Sequence, residues 1–69
     1  MNDYQMRVRS EQDDLILKLK KLNAFIQSDQ FDLLPDINAL LLASQQGAMM
    51  AYLGILNLRV RKFDLSEKP

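Results

Sequence analysis

Hydrophobic positions divide this chain into two helical segments around one short break. In the first, Val8, Leu15, Leu19, Leu22 and Ile26 fall at three- and four-residue steps, with Gln12 filling the missing turn. That spacing predicts an amphipathic helix over about residues 3–27. Phe25, Ile16 and Leu17 widen its apolar face near the end, and Asn2 or Asp3 is placed to cap its start. Arg7, Arg9, Asp13, Asp14, Lys18, Lys20 and Lys21 lie mostly off the apolar face, as a solvated surface. The break is SDQFDLLP, residues 28–35. Ser28 and Asp29 are poor helix-interior residues, and proline is tolerated only in a first helical turn. Asp32 is a candidate cap, and Asp36 favours a helix start there. Phe31, Leu33 and Leu34 are expected to fold back over the hairpin end. So short a connection makes the two helices antiparallel neighbours.

The second helix is predicted over about residues 35–63, with a fraying polar tail at 64–69. Two stripes run along it. Leu42, Gln46, Met49, Leu53, Leu56, Val60 and Phe63 form a coiled-coil seam with one polar member. Beside it run Leu40, Ser44, Gly47, Ala51, Gly54 and Leu58, small in the middle. Small residues let another helix, or a flat ligand, approach the backbone closely. From Ile37 to Leu58 there is no charged residue at all. A helix apolar nearly all round is buried on several sides, and one partner helix covers only one of its stripes. The fold class expected is therefore all-α: an antiparallel two-helix hairpin that self-associates, as a four-helix dimer or a larger bundle.

Size and composition press the same way. A single domain of 69 residues is marginal alone, and the usual staples are disulfides, a metal or oligomerisation. The chain has no cysteine and no histidine, which removes disulfides, thiolate metal sites and the commonest general base. No cofactor or metal is expected. A net charge of zero gives no basic field for nucleic acid. The charged, polar N-terminus is no signal peptide. Asn38, Ser44, Gln45, Gln46 and Asn57 weigh against reading the apolar stretch as a membrane span. A cytoplasmic location is expected.

Candidate chemistry gathers at the open end. Folding the hairpin near Phe31 and Asp32 sets Tyr4 opposite Arg59, Arg7 near Leu56 and Glu11 near Tyr52. Tyr4, Gln5, Arg7, Glu11, Tyr52, Asn57, Arg59 and Arg61 then collect together. Arginine offers a planar fork for phosphate or carboxylate, and tyrosine a stacking face with a hydroxyl. Such a set fits a nucleotide-like anion. The competing reading is structural, with Glu11 paired to Arg59 or Arg7 and the tyrosines as packing. No Ser–His, Cys–His, paired-acid or phosphate-loop constellation is present, so no catalytic residue is assigned and the chain is not read as an enzyme.

Two runs carry a resemblance. The first is Tyr4-Gln5-x-Arg7-Val8-x-x-Glu11, followed by Leu15, Lys18, Leu22 and Phe25. The second is Gln46-x-x-Met49-x-x-Tyr52-x-x-Ile55-Leu56-x-x-Arg59-Val60. In this order they resemble a family of very small phage proteins related to a crAss-like phage protein, over about residues 4–60. The uncharged Ala39–Gly47 segment departs from that pattern and adds to the case for an oligomer. The layout is also similar to the helical hairpins of anti-CBASS and anti-Thoeris sponge proteins, which hold cyclic nucleotides or cyclic ADP-ribose derivatives between subunits. The resemblance implies a counter-defence protein of an infected bacterial host's cytoplasm. It would sequester a nucleotide immune signal without catalysis. Arg7 and Arg59 would bind phosphate, Tyr4 and Tyr52 would stack, and Gln46 and Glu11 would make polar contacts. The alternatives are a protein–protein inhibitor or adaptor of a host protein, and a structural oligomer.

Overall fold

The computed structural model describes residues 2–66. It is a rod of 53 × 16 × 15 Å made of two long antiparallel helices. Helix α1 runs Asp3–Ile26, a single helical turn α2 covers Asp29–Asp32, and α3 runs Asp36–Ser66. The fold is the expected all-α hairpin.

Local chemistry sets the helix ends. The Asn2 side chain accepts from the Gln5 N–H at 2.8 Å, satisfying a donor that has no partner within the helix. At the other end of α1 the Ser28 hydroxyl donates to the Phe25 carbonyl at 2.6 Å. Ser28 is also the N-cap residue of α2, but its side chain makes no capping bond there. Pro35 sits just before α3, where its carbonyl accepts from the Ala39 N–H at 3.0 Å. Asp36 lies in the first turn, against the positive end of the helix dipole.

The hairpin end folds back only in part. Phe31 is half-buried and stands edge-on to Phe25, with ring centroids 6.3 Å apart. Leu34 is half-buried as well. Leu33 is not: it is 84% exposed, because α2 turns it outward. Helix α3 also runs past its expected end at Phe63, through Ser66. Asp64 gives that extra turn a purpose, since it receives Arg9 of α1 at 2.6 Å. Residues 67–69 of the expected tail lie outside the described residues.

The core is thin. Val8, Leu15, Leu19, Leu56 and Val60 are the buried hydrophobic side chains, with Met49, Leu53 and Phe63 partly buried against them. On α3 the partly or fully buried positions are Ala39, Leu42, Gln46, Met49, Leu53, Leu56, Val60 and Phe63. These are the seam read from the sequence plus Ala39. The small stripe lies on the opposite side of the same helix, and every member of it is exposed. Nothing comes within 4 Å of a Cβ built on Gly47 or Gly54. Among the described residues of one chain, no helix packs on the small residues. By length and composition alone α3 is apolar enough to cross a membrane, over Asp36–Leu65.

Candidate functional site

A coiled-coil seam has two flanks, and here they differ. On one flank the helices are stitched by polar pairs. Gln12 Nε2 donates to Asn57 Oδ1 at 2.7 Å, and Gln46 Nε2 donates to Asn23 Oδ1. Arg9 completes the row with its ion pair to Asp64. These pairs join the helices at three levels and hold their register, although the Arg9 Nε is buried without a hydrogen-bond partner.

The other flank is built from two rows at seven-residue steps: Tyr4, Glu11, Lys18 and Phe25 on α1, and Asn38, Gln45, Tyr52 and Arg59 on α3. Seven residues are close to two helical turns, so each row keeps to one side of its helix. The rows meet in opposite directions. The Tyr52 hydroxyl donates to Glu11 Oε1, while Phe25 and Asn38 line one groove. The same steps bring Tyr4 level with Arg59, and Lys18 level with Gln45. Tyr4 leans its ring edge-on against Phe63, at 5.7 Å between centroids. Arg7 stands one turn from both Tyr4 and Glu11 and is exposed.

Five of the six candidate residues thus share one flank: Tyr4, Arg7, Glu11, Tyr52 and Arg59. Gln46 does not. It is on the other flank, held by Asn23. Arg7 also differs from expectation, since its neighbour Val8, not Arg7, packs in the cluster with Leu56. The structural alternative for Glu11 is corrected too: its partner is the Tyr52 phenol and not an arginine. Among the described residues the ion pair is Arg9–Asp64, on the opposite flank, so Arg7 and Arg59 make none. Lys18 and Gln45 also belong to this flank, beyond the residues expected at the open end. The repeated step of seven was the signal that could have found them.

Electrostatics on the flank centre on Tyr52. Its hydrogen bond to Glu11 raises the phenol above the ordinary value of 10.0. Local desolvation and the Glu11 charge act in the same direction, and the nearby Arg59 cation partly offsets them. The phenol is a neutral donor to the carboxylate, and these effects extend the bond to higher pH. Towards the hairpin's closed end the flank opens into an apolar groove of about 320 Å³ lined by Phe25, Leu34, Asn38, Leu41 and Leu42. Among the described residues no group of His, Cys, Asp and Glu is arranged to hold a metal ion.

Architecture and flank define a class: a minimal helical hairpin with an apolar seam inside and a ladder of tyrosine, carboxylate and arginine outside. The chain belongs to the Sequestin family, whose family model matches residues 2–62. That name describes sequestration, a non-catalytic role. The chain is also 37% identical over 60 residues to an uncharacterised 7.5 kDa protein from the denB-rIIB intergenic region of Enterobacteria phage T4. The alignment covers 87% of this chain and 94% of the phage protein. The expected likeness to small phage proteins is shown at that level, through the phage T4 relative, and the family is Sequestin, whereas a family related to a crAss-like phage protein was expected. No solved structure matches the chain.

Proposed function

We propose that this protein is a phage counter-defence protein that sequesters a nucleotide-derived immune signal, of the cyclic oligonucleotide or cyclic ADP-ribose type. It acts in the cytoplasm of the infected host, and self-associated copies hold the ligand between them. The observation that carries this reading is the ladder flank. Arg7 and Arg59 have no carboxylate partner among the described residues, although Glu11 lies close by. Guanidinium groups left open in this way suit the bidentate capture of phosphate. Tyr52 and Tyr4 supply aromatic faces beside them, and Glu11 holds the Tyr52 ring in place. Family membership supports sequestration over chemistry.

The test is a thermal-shift panel of cyclic di- and trinucleotides, cyclic ADP-ribose isomers, ADP-ribose and NAD. Binding to the folded state raises Tm with the logarithm of ligand concentration over Kd. One ligand should give a clear shift and be recovered intact after heating. Arg7→Ala and Arg59→Ala should each abolish the shift while leaving helix content unchanged. Normal binding by both variants would dismiss the flank as the site. Absence of a shift with every ligand would favour the second reading, an inhibitor that docks a helix face on a host protein, for which the exposed leucines of α3 speak.

A further inference from the structure

We propose that the outer face of α3 is a self-complementary seam on which a second copy docks antiparallel, with the two-fold axis midway between Gly47 and Ala51, at the level of Met49 along the helix. The inference rests on the self-association reading and deepens it by naming the face, the direction and the register.

The first observation is the order of residues along that face. Ile37, Leu40, Ser44, Gly47, Ala51, Gly54 and Leu58 follow strict three- and four-residue steps, a second heptad seam opposite the one that holds α1. The order reads nearly the same in both directions about Met49. Leu40 matches Leu58, Ser44 matches Gly54, and Gly47 matches Ala51. A two-fold interface must present one patch to itself. Reversed pairing does so here, with leucine on leucine at each end and small on small between them. The glycines then have a role that the single hairpin does not supply, since nothing approaches them within one chain. The same axis sets Met50 beside its own copy, Leu41 near the partner's Ile55, and Leu33 level with the partner's Leu65. Each of these side chains is exposed in the hairpin.

The second observation is charge. At the closed end α2 and the start of α3 carry Asp29, Asp32 and Asp36, with Lys20 and Lys21 on α1, and the last turns of α3 carry Arg59, Arg61 and Lys62 beside Asp64, which is already paired with Arg9. Antiparallel docking lays the basic end of one protomer over the acidic end of its partner. Parallel docking would set like charges and helix dipoles side by side.

The third is area. A compact monomer of this 8.0 kDa mass exposes about 4,450 Å², whereas this hairpin exposes 5407 Å². The excess, roughly 950 Å² on that scaling, is close to the ~800 Å² per partner of a standard interface. A two-fold across this seam also keeps like flanks together, so both copies turn their Tyr52–Arg59 rows to the same face of the assembly.

The chain has no cysteine, so cross-linking reads the register directly. Leu40 and Leu58 are about 27 Å apart along one helix, too far to join within a chain. The double variant Leu40→Cys with Leu58→Cys should form covalent dimers under mild oxidation, and neither single variant should. Circular dichroism of each variant confirms that helix content is kept. Cross-linking of Leu40→Cys with itself would mean parallel pairing and would overturn the proposal. A wild-type dimer by light scattering, with no cross-link in the double variant, would overturn this face while sparing self-association. Wild type that stays monomeric in buffer, or that floats as a monomer with phosphatidylcholine vesicles, would overturn both.

Discussion

The Tyr52 hydroxyl reaches across the hairpin and donates to the Glu11 carboxylate. The bond joins the two helices on the same flank as Arg59, and it favours the protonated phenol. A carboxylate acceptor favours the protonated phenol, so deprotonation is pushed above 10.0. The linkage sign follows. A group whose folded pKa is raised contributes stability below its unfolded pKa, and that contribution is lost as pH rises through the folded value. Glu11→Gln should therefore lower the Tyr52 phenolate midpoint, read by ultraviolet titration in a Tyr4→Phe background. An unchanged midpoint would mean that the bond does not form in solution.

Leu56 is fully buried, at 0% exposure, in a core with few other buried side chains. Leu56→Ala should cost about 2–5 kcal/mol, lost packing and cavity together. For so thin a core that is most of the folding stability. Urea unfolding followed by circular dichroism measures it, and a loss below about 1 kcal/mol would place the core elsewhere.

Gly47 and Gly54 give opposite predictions for one hairpin and for two. Inside a hairpin, Gly47→Ala meets open space and should gain about 1 kcal/mol of helix propensity. In the antiparallel dimer the same methyl group meets the partner's helix. Melting at several protein concentrations separates the two. The variant should melt above the parent at high dilution and below it when concentrated. A variant more stable at every concentration would argue that the stripe faces solvent.

The Asn2 side chain caps α1 through the Gln5 amide. Asn2→Ala should weaken the first turn by about 1 kcal/mol. Hydrogen exchange at the Gln5 amide should speed up while the amides near Leu15 and Leu19 stay protected. Equal acceleration throughout would show that the cap supports the whole hairpin.

The Arg9–Asp64 ion pair is partly exposed, so its coupling should stay within about 1 kcal/mol and fall with added salt. A double-mutant cycle with Arg9→Met and Asp64→Asn reads it out. Salt-independent coupling well above that size would mark the pair as part of a drier assembly.

The sequence alone determined the two helices, their antiparallel pairing and the inner seam. Steps of three and four select one face of a helix, and Ser28 and Pro35 break the pattern where the chain turns. Leu42, Met49, Leu53, Leu56, Val60 and Phe63 could be read as a seam because burial along a helix follows its periodicity. The Glu11–Tyr52 pairing was legible for the same reason, since a short turn fixes which residues come level. Other features were decided in three dimensions. Gln46 and Tyr52 both lie near the seam in the sequence pattern, yet they fall on opposite flanks, because flank depends on the angle around the helix as well as the step along it. Asn23, a distant residue, claims Gln46. Leu33 looked like a hairpin plug and points outward, since the single turn of α2 rotates it away from the core. The tertiary structure also leaves the small stripe of α3 uncovered, because one 24-residue helix can shield one side of a 31-residue helix and no more.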